Sequence, residues 1–85
     1  MWVQQRDYKK VGRVLRIARE EAGLTQSVLA SRLSKPQSFV SSCESGQRRV
    51  DLLELQRIAI AIEADPVDLY CAILDAEAKP RSSKR

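Results

Sequence analysis

Five separate stretches of this chain return an apolar residue every three or four positions, and only short polar connections divide them. That spacing is the period of an amphipathic helix, and no stretch of useful length alternates apolar with polar as a half-buried strand would. Helices that each have one face to hide, joined by so few residues, must pack on one another. The expected fold class is all-α, a compact five-helix domain, and 85 residues make one such domain.

The punctuation between helices is specific. The first helix is expected from about Tyr8 to Ala22, capped by Asp7, striped by Val11, Val14, Leu15, Ala18 and Ala22, and ended by Gly23. Residues 1–7 then form an N-terminal arm. Thr25 caps a second helix, Gln26 to Leu33, which buries Leu29, Ala30 and Leu33. A third begins at Pro36. Asp51 opens a fourth, with Glu54 at capping-box spacing and Leu52, Leu55, Ile58, Ala59 and Ile62 turned inward. Asp65-Pro66 starts a fifth, with Asp68 near its positive end and Val67, Tyr70, Ile73 and Leu74 on its apolar side. The folded domain is expected over residues 8–75, followed by a basic flexible tail over residues 76–85.

Several classes of function are disfavoured by what the chain lacks. It has no histidine, so Ser-His-Asp and Cys-His arrangements and His-ligated metals are absent. Cys43 and Cys71 stand 28 positions apart, without metal-ligand spacing, and are expected as buried thiols in a reducing cytosol. The carboxylates are accounted for by caps and solvated faces. The chain is expected not to be an enzyme, to have no catalytic residue, and to need neither cofactor nor metal. Its longest apolar run, Ile58 to Ile62, is too short for a membrane span, and MWVQQRDYKK lacks the apolar core of a secretory signal. The expected location is the cytoplasm, at the nucleoid.

Charge is sorted along the chain. Residues 1–50 carry ten Lys/Arg against four Asp/Glu, and residues 51–78 carry one against seven. The last seven residues add four more cations. Such sorting fits a basic face for a polyanion and an acidic remainder turned elsewhere.

The stretch PQSFVSSCESGQRR, residues 36–49, is the unusual one, with four serines between Ser38 and Ser45. On a helical wheel of about 100° per residue, Gln37, Ser41, Ser45, Ser38 and Ser42 share one side, while Phe39, Cys43, Pro36 and Val40 share the other. Gly46 suits the left-handed position that ends such a helix. Its polar face is short, uncharged and able both to donate and to accept, properties useful against base edges in a DNA major groove. A plain surface would tolerate the same residues. Two facts favour the groove: a short helix precedes it across a turn, and Lys35, Arg48 and Arg49 flank it.

The sequence LTQSVLASRLSKPQSFVSSCESGQRRVDLLELQRIAIAIEADPVDL resembles the lambda-repressor-like helix-turn-helix domain, the Cro-type or XRE family. The likeness covers roughly residues 8–75, with the helix-turn-helix at about residues 26–45. It is carried by Leu24-Thr25-Gln26, Leu29-Ala30, Leu33, Gln37-Ser38, Val40-Ser41, Glu44, Gly46 and Arg48-Arg49, without insertions. It implies that Gln37, Ser38 and Ser42 face base edges, with Ser41 beside them. Gln26 would bind a phosphate and brace Gln37. Arg48 and Arg49 would touch phosphates or the minor groove, and Arg19 and Glu44 would form a structural ion pair; by position alone, Lys35 is expected at the DNA backbone, and Phe39, at the edge of the polar face, in packing or against a sugar or thymine methyl. Four departures stand out: Ser34 occupies a turn position often held by glycine, which implies positive φ; Val28 leaves the second helix without a capping box; Cys43 fills a core slot usually held by a larger residue; and Pro36 stands where a capping Ser or Thr is common, though its fixed φ can start the helix.

The resulting expectation is a sequence-specific transcriptional regulator, a repressor, that binds double-stranded DNA as a homodimer on a two-fold operator. Tyr70, Ile73 and Leu74, with Trp2, are candidates for the dimer interface; the first three serve equally as closure of the monomer core. The same domain type serves as antitoxin, partnered by a toxin, and as controller of restriction–modification genes. A protein-interaction adaptor that has lost DNA binding is the remaining alternative, and it has no reason to keep Gln26, Gln37, Arg48 and Arg49 together.

Overall fold

A computed structural model describes residues 2–77; of the tail expected over residues 76–85, Ala76 and Glu77 prove helical and residues 78–85 lie outside the described residues. Five helices follow in order: α1 Gln5–Glu21, α2 Gln26–Arg32, α3 Gln37–Ser45, α4 Leu52–Ala61 and α5 Pro66–Glu77. Among the described residues there is no strand, and no helix is long and apolar enough to cross a membrane.

Helix α1 lies against α3 on one side and α5 on the other, α2 packs on α3, and α4 packs chiefly on α5. The core they enclose is Leu15, Leu29, Ala30, Val40, Cys43, Leu55, Ile58, Ala59, Ile62, Leu69 and Ile73. Val11, Val14, Ala18, Leu24, Leu33 and Phe39 pack around it.

Most caps form as the sequence dictates. Thr25 Oγ1 accepts the Val28 N–H at 3.1 Å. Asp51 accepts the Glu54 N–H at 2.8 Å while Glu54 accepts the Asp51 N–H at 3.1 Å, a closed capping box. Asp65 accepts the Val67 N–H at 2.8 Å. Ser34 sits at φ 58°, as its turn position requires. Glu63, at φ 61°, ends α4 in the same left-handed way, which the sequence reading did not foresee.

Four expectations are corrected. Helix α1 starts at Gln5 and takes in part of the expected arm; Asp7 is its third residue, accepting the Gln4 N–H at 2.7 Å as the return half of a cap. Leu52 is 79% exposed, because the α4 surface that enters the core begins one turn later, at Leu55. On α5 the buried stripe is Leu69 and Ile73, leaving Val67, Tyr70 and Leu74 outside. Ile73 therefore belongs to the monomer core, the other of the two roles expected for it. Cys43 is buried, but Cys71 is exposed, since its position points about 200° away from Leu69 and Ile73.

Candidate nucleic-acid interface

Helix α3 is built to be held rigidly from behind. Gly12 of α1 touches its backbone: a Cβ there would collide with the carbonyl of Glu44 and stand 2.6 Å from that of Cys43. Val40 and Cys43 anchor the inner face in the core. Burial pushes the Cys43 thiol up, so it stays protonated and inert. Gly46 takes φ 84°, and the Gln47 and Arg48 N–H groups return to the Ser42 carbonyl at 3.0 and 3.2 Å. A side chain at Gly46 would strike the Lys9 backbone as well as strain the turn.

The pair expected between α1 and α3 is present. Arg19 Nε donates to Glu44 Oε2 at 2.6 Å and Nη2 donates to Oε1 at 3.1 Å. Nη1 donates to the Leu24 carbonyl at 2.7 Å, so the buried guanidinium is tied on three nitrogens. The bond to Glu44 raises the Arg19 pKa, so the charge is permanent.

From that pair a chain of contacts reaches the surface. Gln26 Nε2 donates to Glu44 Oε1 at 2.9 Å, and Gln37 Nε2 donates to Gln26 Oε1 at 3.2 Å. The Ser27 hydroxyl makes a long contact to Gln37 Oε1 at 3.4 Å. Gln26 thus braces Gln37 as the resemblance implied. The link from Gln26 to Glu44 was not anticipated.

Gln37, Ser38 and Ser41 are exposed at the start and middle of α3, and Ser42 is half-buried. Among the described residues Ser38 and Ser41 make no side-chain hydrogen bond. Ser45 turns its hydroxyl back to the Ser42 carbonyl at 3.2 Å.

The flanking cations differ in their freedom. Arg48 lies 4.7 Å from the centre of the Phe39 ring and donates to both carboxylate oxygens of Glu54 at 2.8 Å. That bond holds the Glu54 carboxyl below its ordinary value. Lys35 stands 5.4 Å from the centre of the same ring, and Arg49 stands 5.6 Å from the centre of the Tyr8 ring. Neither Lys35 nor Arg49 has a carboxylate partner among the described residues. Phe39 itself is half-buried against the core. Glu54 as the clamp on Arg48 was missed in the sequence, where its capping role already explained it.

No metal-binding cluster of acids and cysteines occurs among the described residues. Between the start of α1, the start of α4 and α5, Val3, Tyr8, Leu52, Tyr70 and Ile73 line an apolar groove of about 190 Å³. Tyr70 is 48% and Leu74 44% exposed, and Trp2 is exposed beyond them.

Comparison with known proteins agrees with this architecture. The profile of a helix-turn-helix domain family matches residues 10–69. An XRE-family like protein from Pseudomonas syringae pv. tomato str. DC3000 is 37% identical, with TM-score 0.74 over 86% of this chain and 89% of its own. The restriction-modification controller protein C.AhdI from Aeromonas hydrophila is 35% identical, with TM-score 0.71 over 76% of this chain and 94% of its own. The clp gene regulator ClgR from C. glutamicum, at 24% identity, shares the fold with TM-score 0.79 over 85% of this chain and 94% of its own. A search of curated proteins finds no match. With a rigidly backed α3, a short polar outer face and basic flanks, this chain belongs to the XRE-type helix-turn-helix family of DNA-binding transcription regulators.

Proposed function

We propose that the protein is a sequence-specific repressor that binds a two-fold operator as a homodimer. The observation that carries this reading is the outer face of α3. Gln37, braced by Gln26, and the hydroxyls of Ser38 and Ser41 are exposed between Lys35 and Arg49, neither of which has a carboxylate within ion-pair distance among the described residues. Placed edgewise in a major groove, Gln37, Ser38, Ser41 and Ser42 would meet base edges. Gln26, Lys35, Phe39 and Arg49 would meet the sugar–phosphate backbone, with affinity arising mainly from counterion release. Arg48 would meet the backbone as well, with its charge already partly offset by Glu54.

One such helix reads a few base pairs, so two half-sites about one helical turn apart are needed for useful specificity. The exposed Tyr70, Leu74, Trp2 and Leu52 supply an apolar face for the second copy. A narrower reading, control of restriction–modification genes, is supported by the likeness to the Aeromonas hydrophila controller along nearly all of that chain.

Selection from random duplex DNA, followed by salt-titrated gel shifts, tests the proposal. The selected sites should be inverted repeats. Arg49→Ala should weaken binding to every sequence alike and lower the salt slope by about one. Gln37→Ala should change which sequence is preferred. Unaltered binding by both variants would overturn the docking.

A further inference from the structure

We infer that the pocket between the α2–α3 turn and α4 binds a small organic carboxylate with an apolar body, and that this ligand loosens the hold on DNA. The pocket stands on its own geometry; the effect on DNA rests on the DNA-binding reading above.

The pocket measures about 600 Å³, within the range of about 300–1,000 Å³ that small-molecule sites occupy. Three cations from three elements converge on it: Arg32 at the end of α2, Lys35 in the turn and Arg57 on α4. None of the three has a carboxylate within ion-pair distance among the described residues. Arg32 is nevertheless held in place, because its Nη1 donates to the Ala61 carbonyl of α4 at 2.7 Å. Glu54 is the one acid in the lining, and Arg48 already donates to both of its oxygens at 2.8 Å. The surplus charge is positive, which selects an anion, and Arg32 and Arg57 offer the forked donors that suit a carboxylate.

The rest of the lining is of another kind. Leu33, Phe39 and Ile58 supply apolar surface, and Ile60, 62% exposed, adds a side chain that the core does not use. A bare phosphate or a DNA phosphodiester would leave that surface in water. An aromatic or branched aliphatic carboxylate would cover it while its charge met the cations.

Lys35 and Phe39 belong both to this pocket and to the flank of α3. A carboxylate held by Lys35 would occupy a cation otherwise available to the DNA backbone, and would bring negative charge towards the phosphates. Ligand and operator should therefore weaken each other by the same factor.

Naphthoate is the probe, with neutral naphthamide and acetate as comparisons. Titrated into the free protein, naphthoate should saturate with Kd of about 1 mM or tighter, the reach of an ordinary ligand of its size. It should shift the backbone amide signals of Ser34, Lys35, Arg57 and Ile60. Naphthamide, lacking the charge, should bind about tenfold more weakly, and acetate, lacking the body, more weakly still. Arg57→Gln should cost about tenfold in naphthoate affinity and leave the thermal melt unchanged, since Arg57 is exposed. Arg16→Gln removes the same charge from an exposed position on α1 outside the pocket and should cost nothing. Saturating naphthoate should weaken binding to a selected operator about fivefold or more in the wild type.

Equal affinity for naphthoate and naphthamide, equal losses in Arg57→Gln and Arg16→Gln, or shifts confined to the groove beside Tyr70 would each overturn the site. Saturation without any change in operator affinity would overturn the coupling. A protein that enriches no duplex would remove the DNA-binding reading and the coupling with it, while the titration of the free protein still decides the pocket.

Discussion

Arg19 of α1 and Glu44 of α3 bond at 2.6 Å with side chains only 9% and 5% exposed, which makes this ion pair part of the core that orients the recognition helix. Removing one member leaves the other charged and without water. Arg19→Met should lower stability by about 3–5 kcal/mol, measured by urea unfolding. The loss should persist in high salt, because solvent ions do not screen a buried pair well.

The Arg48–Glu54 pair lies nearer the solvent and should behave differently. Its side chains are 40% and 27% exposed, so Arg48→Ala should lower the melting temperature only slightly. Arg48→Ala should also alter the salt slope of DNA binding less than Arg49→Ala does, since Arg48 is already engaged.

The same pair gives a pH dependence of known sign. The Glu54 carboxyl is held below its ordinary value of 4.5, first by the Arg48 hydrogen bond. A depressed folded-state pKa contributes stability that is complete above the unfolded value and disappears as pH falls through the folded one. Thermal melts of Glu54→Gln should therefore fall less steeply below pH 4.5 than those of the wild type, and differ little in slope above it.

Gly12→Ala is expected to act well beyond its size. The added methyl meets the carbonyls of Glu44 and Cys43, backbone atoms that cannot swing aside. A cost of about 1–3 kcal/mol is expected. Binding to a selected operator should suffer more than stability does, because α3 itself must be pushed outward.

The two cysteines should be told apart by a thiol reagent. Cys71 is exposed, while Cys43 is buried with its pKa raised by desolvation. Native protein should titrate one thiol quickly, and the second only after denaturant is added.

Tyr70 and Leu74 are the residues on which pairing of two chains can be tested. Tyr70→Glu combined with Leu74→Glu should sediment as a monomer with wild-type helical content, since neither side chain belongs to the core. Loss of helical content would show instead that both are needed within one chain.

Caps and connections were legible because each is local. Thr25, Asp51, Asp65 and Gly46 act within four residues of themselves, and they end or begin helices where the sequence reading placed them. Helix α5 was not legible in the same way. Val67, Tyr70 and Leu74 keep helical spacing as well as Leu69 and Ile73 do. Only the surfaces of α1 and α4 decide which stripe turns inward. The Arg19–Glu44 pair, 25 residues apart, entered through the family resemblance, because no local pattern marks it. Glu54 illustrates the opposite difficulty. One visible role, capping Asp51, concealed a second, gripping Arg48.

The bare contact at Gly12 leaves no slack between two backbones, and this has a kinetic consequence. A reading head so mounted has little freedom to rock or slide, so it arrives at a duplex already shaped for the encounter. If that helix reads DNA as proposed, the pace of recognition should be set by the search along the polymer and not by an ordering step in the helix.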